Sequence, residues 1–375
     1  MPSLSEPVEY YVGLMSGTSM DGVDAVLLAF GAGQPEVQGH AFAPFPVALR
    51  SELLALNTPG ADELHRAALA ANALVRVYAG VIASLLGPVG FTSSRITAIG
   101  VHGQTVRHRP QEFDGTGYTL QLNNPALLAE LTGIDVAADF RSRDVAAGGQ
   151  GAPLVPLFHR EVFGRLGETI CVLNVGGISN LSVLGADGGV IGFDCGAGNA
   201  LMDYWCQRHT GQPFDKGGQW GAGGTLVPAL LEALLAEPYL QRAPPKSTGR
   251  DLFNPVWLQE RLAGFAEARP QDVQATLLEF TAASCATDLN TYAGSSRTLI
   301  VCGGGALNTA LMQRLQSALP RVAVTSSESH GLPPLQVEAA AFAWLARKTV
   351  HRETGSLKSV TGTQGARVLG AIYPR

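Results

Sequence analysis

Asp194 sits at the end of an apolar run inside Gly192-Phe193-Asp194-Cys195-Gly196-Ala197-Gly198-Asn199, and a helix-like stretch, Ala200–Arg208, follows. A carboxylate at a strand end, wrapped in glycine, is open to close approach by a substrate, as a general base requires. The same pattern also caps a helix or stiffens a turn. The second chemical feature is Met15-Ser16-Gly17-Thr18-Ser19-Met20-Asp21-Gly22. Gly17 and Gly22 let backbone N–H groups come close to a ligand, Thr18 and Ser19 add hydroxyl donors, and Asp21 would hold a metal ion through water. Those are the parts of a hairpin that cradles polyphosphate, and equally of an ordinary capped turn. No Lys follows the second glycine, so the segment is not a G-x-x-x-x-G-K-[ST] loop.

Other polar groups carry weaker signals. Asp139 and Asp144, with Arg141 and Arg143 between them, could serve substrate or hinge contact, or form surface ion pairs worth about 0–1 kcal/mol each. His102 and His108 are spaced too irregularly for a metal pair, and no third ligand is obvious, so no zinc site is expected. Lys246-Ser247-Thr248-Gly249-Arg250-Asp251 offers two cations for phosphate, or a loop ordering a helix start. Glu338 opens the helical stretch Val337–Arg347, where it also complements the helix dipole.

The elements that must position these groups alternate between strand-like and helix-like. Tyr10–Leu14 and Val23–Phe30 flank the first turn, Ile96–Val101 leads into His102-Gly103-Gln104-Thr105, and Ala61–Leu86 has helical spacing with Leu64, Leu69, Leu74 and Val77 among its apolar positions. Tyr118–Leu122 and Ile134–Ala138 read as further strands. Thr169–Asn174, the turn from Gly176-Gly177 to Asn180, and Leu181–Leu184 repeat the opening strand–turn–strand. The strand Thr298–Cys302 runs into Gly303-Gly304-Gly305 before the helix Leu307–Leu319. Such alternation predicts an α/β architecture of two similar halves. Gly148–Pro153 is the expected joint, dividing the chain into 1–145 and 146–349, with 350–375 packing back on the first part.

Composition narrows the class. Charged residues make up 15% and hydrophobic residues 46% of 375, with 45 Gly. A charged share below the usual value of about 25% reads as a large buried core with many tight turns. A net charge of −5 gives no basic footprint for nucleic acid. No run reaches ~18 consecutive apolar residues, and no secretory signal is visible, so no membrane partner is expected. Five Cys without a C-x-x-C pair fit reduced thiols and a cytoplasmic location.

Taken together, the motifs resemble the anhydro-N-acetylmuramic acid kinases, within the actin-like, sugar-kinase superfamily of ATPases. The residues that carry the resemblance are Gly17–Asp24, His102–Thr105, Asp139–Arg141, Gly149–Leu154, Asn174–Asn180, Pro245–Arg250 and Glu338–Trp344, in the family's order. The resemblance implies a two-domain actin-like ATPase (ribonuclease H-like) α/β fold with an interdomain active-site cleft. It implies ATP and Mg²⁺ as cofactors, and a reaction that opens a 1,6-anhydro sugar with water and phosphorylates O6. Gly17, Thr18, Ser19, Met20, Asp21, Gly22, Val23 and Asp24 would bind ATP phosphate, with Gly176 and Gly177 as the second phosphate turn and Gly303, Gly304 and Gly305 near the adenosine. Asp194 matches the catalytic carboxylate. Glu338, His102, Gln104, Asp139 and Arg141 would contact the sugar. A homodimer is expected from the family alone. The chain departs from the family at Cys195 and Ala197, where Thr and Pro are usual, and at Pro333–Gln336, which lacks acidic residues often found there. An ordinary hexose or amino-sugar kinase, or a nucleotide-switched actin-like binding protein, remains open at this level.

Overall fold

The Val- and Leu-rich runs around the first turn form strands β1 (Glu9–Met15) and β2 (Gly22–Phe30), which pair antiparallel with Met15 opposite Asp24. The computed structural model describes residues 7–17, 20–249 and 251–375. β3 (Glu36–Pro44), β4 (Ala98–Val101), the separate hairpin β5 (Gln104–Pro110) and β6 (Gly117–Leu122), and β7 (Val136–Ala138) follow. The main sheet runs β3-β2-β1-β4-β7, with β1, β4 and β7 parallel, and a C-terminal strand (Ala371–Tyr373) adds antiparallel to β7.

The second sheet is built from β8 (Ile170–Val175), β9 (Ile178–Leu184), β10 (Val190–Ala197), β11 (Thr298–Cys302) and β12 (Ala323–Ser326). Its order is β10-β9-β8-β11-β12, antiparallel through the first three strands and parallel from β8 onward. That is the arrangement of the first sheet again, and it is the actin-like, ribonuclease H-like α/β fold in duplicate.

The two compact units are 1–162 with 336–375, and 163–335. These bounds differ from the joints expected at 145/146 and near 350. The glycine-rich stretch after Asp144 is an internal turn of the first unit: the buried Asp144 carboxylate accepts from Gly151 N–H at 2.8 Å and from Thr361 Oγ at 2.8 Å. That clasp fastens the supposed hinge to the C-terminal segment. The helix Val337–Val350 also belongs to the first unit. It lies on β1 and β4, where Gly13 and Gly100 have no Cβ and its backbone comes so close that an added one would collide with Ala339 and Phe342 carbonyls. It is buried nearly all round, because the sheet packs on one side and Phe140, Phe158 and His102 on others.

The helix Glu63–Leu86 is long and apolar enough by composition to cross a membrane, yet Leu74, Val75, Tyr78, Val81, Ile82 and Leu85 pack into the first unit's core. Leu64 and Leu69, expected among its apolar stripe, face outward at 90% and 55% exposure. In the second unit the helix Pro270–Ala293 underlies the sheet and carries Val273, Leu277, Phe280 and Cys285 into its core.

Candidate active site

In the first unit the β1–β2 turn is held from behind. The Gly17 carbonyl accepts from the Gln104 side chain at 3.1 Å and from Met20 N–H at 3.2 Å. The Met20 carbonyl accepts from Arg50 Nε at 3.1 Å, and the Asp21 carbonyl from Phe45 N–H at 3.0 Å. Met20 takes a left-handed φ of 54°, and its side chain is buried in the core, so it anchors the turn. Ser16 Oγ lies 2.8 Å from Tyr78 OH and donates to the Gly103 carbonyl at 3.2 Å. The expected phosphate residues Thr18 and Ser19 lie outside the described residues. Asp21 is exposed at the turn.

Two expected phosphate residues are otherwise engaged. Val23 is fully buried in the core, and Asp24 pairs with His40 Nε2 at 2.8 Å across β2 and β3. Their side chains close the hairpin and do not line it. The expected sugar contacts also sort themselves. Arg141 donates through Nε and Nη2 to His102 Nε2 at 3.0 and 2.9 Å, and through Nη1 to the Gly151 carbonyl at 2.7 Å. An arginine donor on Nε2 fixes the His102 ring as neutral, and burial, then Arg141, hold it well below the usual histidine range. His102 and Gln104 are buried, so they position Arg141 and the turn from within. Asp139 is exposed with φ 60°, a left-handed conformation, and Glu338 is half-buried in the first turn of its helix.

In the second unit three glycine segments and Asp194 come together. Gly176 and Gly177 span the two-residue gap between β8 and β9. Their carbonyls accept from Asn199 N–H at 2.8 Å, Gly198 N–H at 3.0 Å and Ala200 N–H at 3.2 Å. Asn199 Nδ2 adds a bond to the Val175 carbonyl at 3.0 Å. A trans peptide places N–H opposite C=O, so tying the Gly176 carbonyl to the helix start turns the Gly177 N–H away from it. Gly303, at φ 74°, lies against the same strand end, where a Cβ would collide with Asn174 Oδ1 and stand 2.8 Å from the Val175 carbonyl. Gly305 likewise packs on Val175. Gly303 and Gly305 thus border the turn at Gly176 and Gly177.

Asp194 is 8% exposed on β10, opposite Asn180, with a bulge at Cys195 before Gly196. Its Oδ2 accepts from Thr248 N–H at 2.9 Å. Its N–H donates to the Lys246 carbonyl at 3.2 Å, and its carbonyl accepts from Tyr239 OH at 3.0 Å. Lys246, open in the sequence to phosphate contact or to a loop ordering a helix start, is buried and pairs with Asp288 at 3.3 Å; its Nζ sits 5.4 Å from the Phe193 and Tyr239 ring centres. Arg250 lies outside the described residues. Sequence reasoning missed Thr248, Tyr239, Asn199 and Asp288. Asp288 had a signal: it is the only charge in Phe280–Ala293 of an otherwise apolar and small-residue helix.

Among the described residues no group of three or more His, Cys, Asp or Glu side chains stands ready for a metal ion.

A model of the family described as "Anhydro-N-acetylmuramic acid kinase" matches residues 9–375. The chain is 65% identical over 371 residues to a protein of that name from Variovorax paradoxus, covering 98% of this chain and 99% of the relative. It is 62% identical to one from Albidiferax ferrireducens, at 98% and 99% coverage. It is 56% identical to one from Cupriavidus metallidurans, at full coverage of both.

Proposed function

The chain belongs to the anhydro-N-acetylmuramic acid kinase family, and from that premise we propose how its own residues divide the reaction. The activity is phosphotransfer to the anhydro sugar. O6 of a 1,6-anhydro sugar is already bonded to C1, so its phosphorylation requires that bond to break. Asp194 takes the proton of a water that attacks C1. The C1–O6 electron pair stays on O6, which attacks the γ-phosphorus of ATP and gives N-acetylmuramic acid 6-phosphate and ADP. Positioned base help of this kind contributes ~10²–10⁴-fold.

The glycine turns suit the nucleotide. Gly177 N–H is aimed away from its own scaffold, and the close packing at Gly303 and Gly305 leaves a side-chain-free surface beside it. In the first unit the Asp21 carboxylate, exposed at the turn, would hold Mg²⁺ through water. When bound, that ion supplies positive charge to the transferring phosphoryl group. Arg141, fixed by His102 and Gly151, and Glu338 and Asp139 would serve the sugar. Five buried cysteines, none in a disulfide, fit a reducing cytoplasm.

The observation that carries the base assignment is the buried Asp194 carboxylate fixed by Thr248 N–H, four residues before Gly198. Asp194→Asn keeps the shape and loses the base. Turnover is expected to fall ~10²–10⁴-fold with ATP affinity near normal. In ¹⁸O-water, wild-type product read promptly should carry label at the anomeric oxygen. Near-full turnover by Asp194→Asn would sink the assignment.

A further inference from the structure

We propose that the buried Lys246–Asp288 pair is a positioning device for Asp194, resting on the reading of Asp194 as the base. Lys246 reaches down from the loop 245–249 with its side chain only 2% exposed, and meets both Asp288 oxygens at 3.3 and 3.4 Å. Its Nζ also donates to the Leu240 carbonyl at 3.4 Å and sits between the rings of Phe193 and Tyr239. Two of those partners, and the Lys246 backbone itself, bear on the strand residue read as the base. Phe193 precedes Asp194 in β10, Tyr239 OH binds the Asp194 carbonyl, and the Lys246 carbonyl binds the Asp194 N–H. Two residues further along the same loop, Thr248 N–H grips the carboxylate itself.

A lysine on the loop is therefore nailed to the long helix Pro270–Ala293 beneath β10, and the nail fixes the loop backbone that holds the base. A buried ion pair is weak evidence for stability, since a packed apolar pair of similar volume often does as well. Its geometric specificity is the useful property here: a point charge between two rings and a carboxylate admits one loop position. The titratable groups around Asp194 are Tyr239, Cys195, Cys285, Lys246 and Asp288. Burial, then Cys285, holds the Cys195 thiol well above its usual range, and burial, then Asp194, raises Tyr239, so neither titrates near neutral pH in competition with the base.

The test compares Lys246→Met, Asp288→Asn and the double variant Lys246→Met/Asp288→Leu with Asp194→Asn in the full-length enzyme. Each single variant is expected to lose about 10- to 100-fold in kcat, the range for residues that orient a functional group from behind. KM for ATP should stay within about twofold, since the loop does not border Gly176–Gly177. Losing the Thr248 hydrogen bond to the charged carboxylate should move the acid limb of the kcat–pH profile up in the double variant, where the lost Lys246 and Asp288 charges offset each other. A structural defect alone lowers amplitude without moving that limb. If the single variants fail to fold, the double variant decides: it should recover the melting temperature but not kcat. Recovery of both, a wild-type acid limb in the double variant, or single variants with wild-type kcat would overturn the positioning role. An inactive Asp194→Asn beside unaltered pair variants removes only this inference, whereas an active Asp194→Asn removes the base assignment.

Discussion

Two glycines a few ångströms apart on the same strand end should respond to the same substitution in opposite ways. At Gly176 an added methyl has nothing nearer than the Ile178 carbonyl at 3.7 Å, and the residue has no left-handed φ. Gly176→Ala should leave the fold intact, or stabilise it by the ~0.4–1 kcal/mol of a compatible Gly→Ala change. Under the proposed phosphate role of the Gly177 N–H, however, the methyl would crowd the approach to that donor. Losing one charge-assisted hydrogen bond costs about 1.5–3 kcal/mol, or roughly 10- to 150-fold in ATP affinity at about 1.4 kcal/mol per tenfold. At Gly303 the methyl meets Asn174 and the Val175 carbonyl, and φ is 74°. With ψ at −176° this positive-φ backbone is open essentially only to glycine and costs a side chain about 1–3 kcal/mol, and the forced shift of β8 costs about 1–3 more. At roughly 2–4 °C per kcal/mol for a unit of this size, Gly303→Ala should melt ~5–20 °C lower. Calorimetry and ATP titration on both variants separate packing from ligand approach. Gly176→Ala with unchanged ATP affinity, or with a large fall in melting temperature, would refute the reasoning.

Two further outcomes follow from titration and charge. His159 is fully buried, and burial pushes its pKa down to about 3. The unfolded chain binds that proton first, so this contribution is complete above about pH 6.5 and is lost as pH falls, by up to about 1.4 kcal/mol per unit until near pH 3. Denaturant melts between pH 7 and 5 should show this slope, and a folded His159→Leu should flatten it; an equal slope in that variant would assign it elsewhere. Because no three-ligand cluster exists among the described residues, Mg²⁺ should raise the melting temperature only when nucleotide is present, and EDTA should abolish turnover. A Mg²⁺ shift without nucleotide would reveal a resident cation site.

The turns and strands around the glycines were legible in the sequence because glycine clusters after β-branched runs have few other uses. Thr298–Cys302 is a strand with the expected bounds, and the second turn is shorter than expected only because Ile178–Asn180 already joins the β9 ladder. The unit boundary was not legible. Gly148–Pro153 has the composition of a hinge, and only the tertiary clasp of Asp144 by Gly151 and Thr361 makes it rigid. The helix from Val337 was misassigned for a related reason. Its partners, Gly13 and Gly100, lie over 200 residues away in the chain, and nothing local announces that an Ala-rich helix will press its backbone onto them. Lys246 was misread because charge in a polar loop normally means solvent or ligand. Its burial depends on Asp288, 42 residues later.

The duplicated topology puts turns of very different length at corresponding strand ends. Residues 16–21 join β1 to β2, whereas only Gly176 and Gly177 join β8 to β9. In the first turn the carbonyls of Gly17, Met20 and Asp21 are pulled back by Gln104, Arg50 and the Phe45 backbone. In the second, those of Gly176 and Gly177 are pulled back by the start of the helix Asn199–Thr210. One scaffold uses long side chains from neighbouring strands and helices, the other a helix N-terminus. A planar peptide whose carbonyl is bound from behind presents its N–H on the other side: in the second turn that is Gly177 N–H, opposite the bound Gly176 carbonyl, and in the first it is Asp21 N–H, opposite the Met20 carbonyl held by Arg50. Under the proposed phosphate role, Arg50 and the start of the helix Asn199–Thr210 would set those donors without a lysine in the loop.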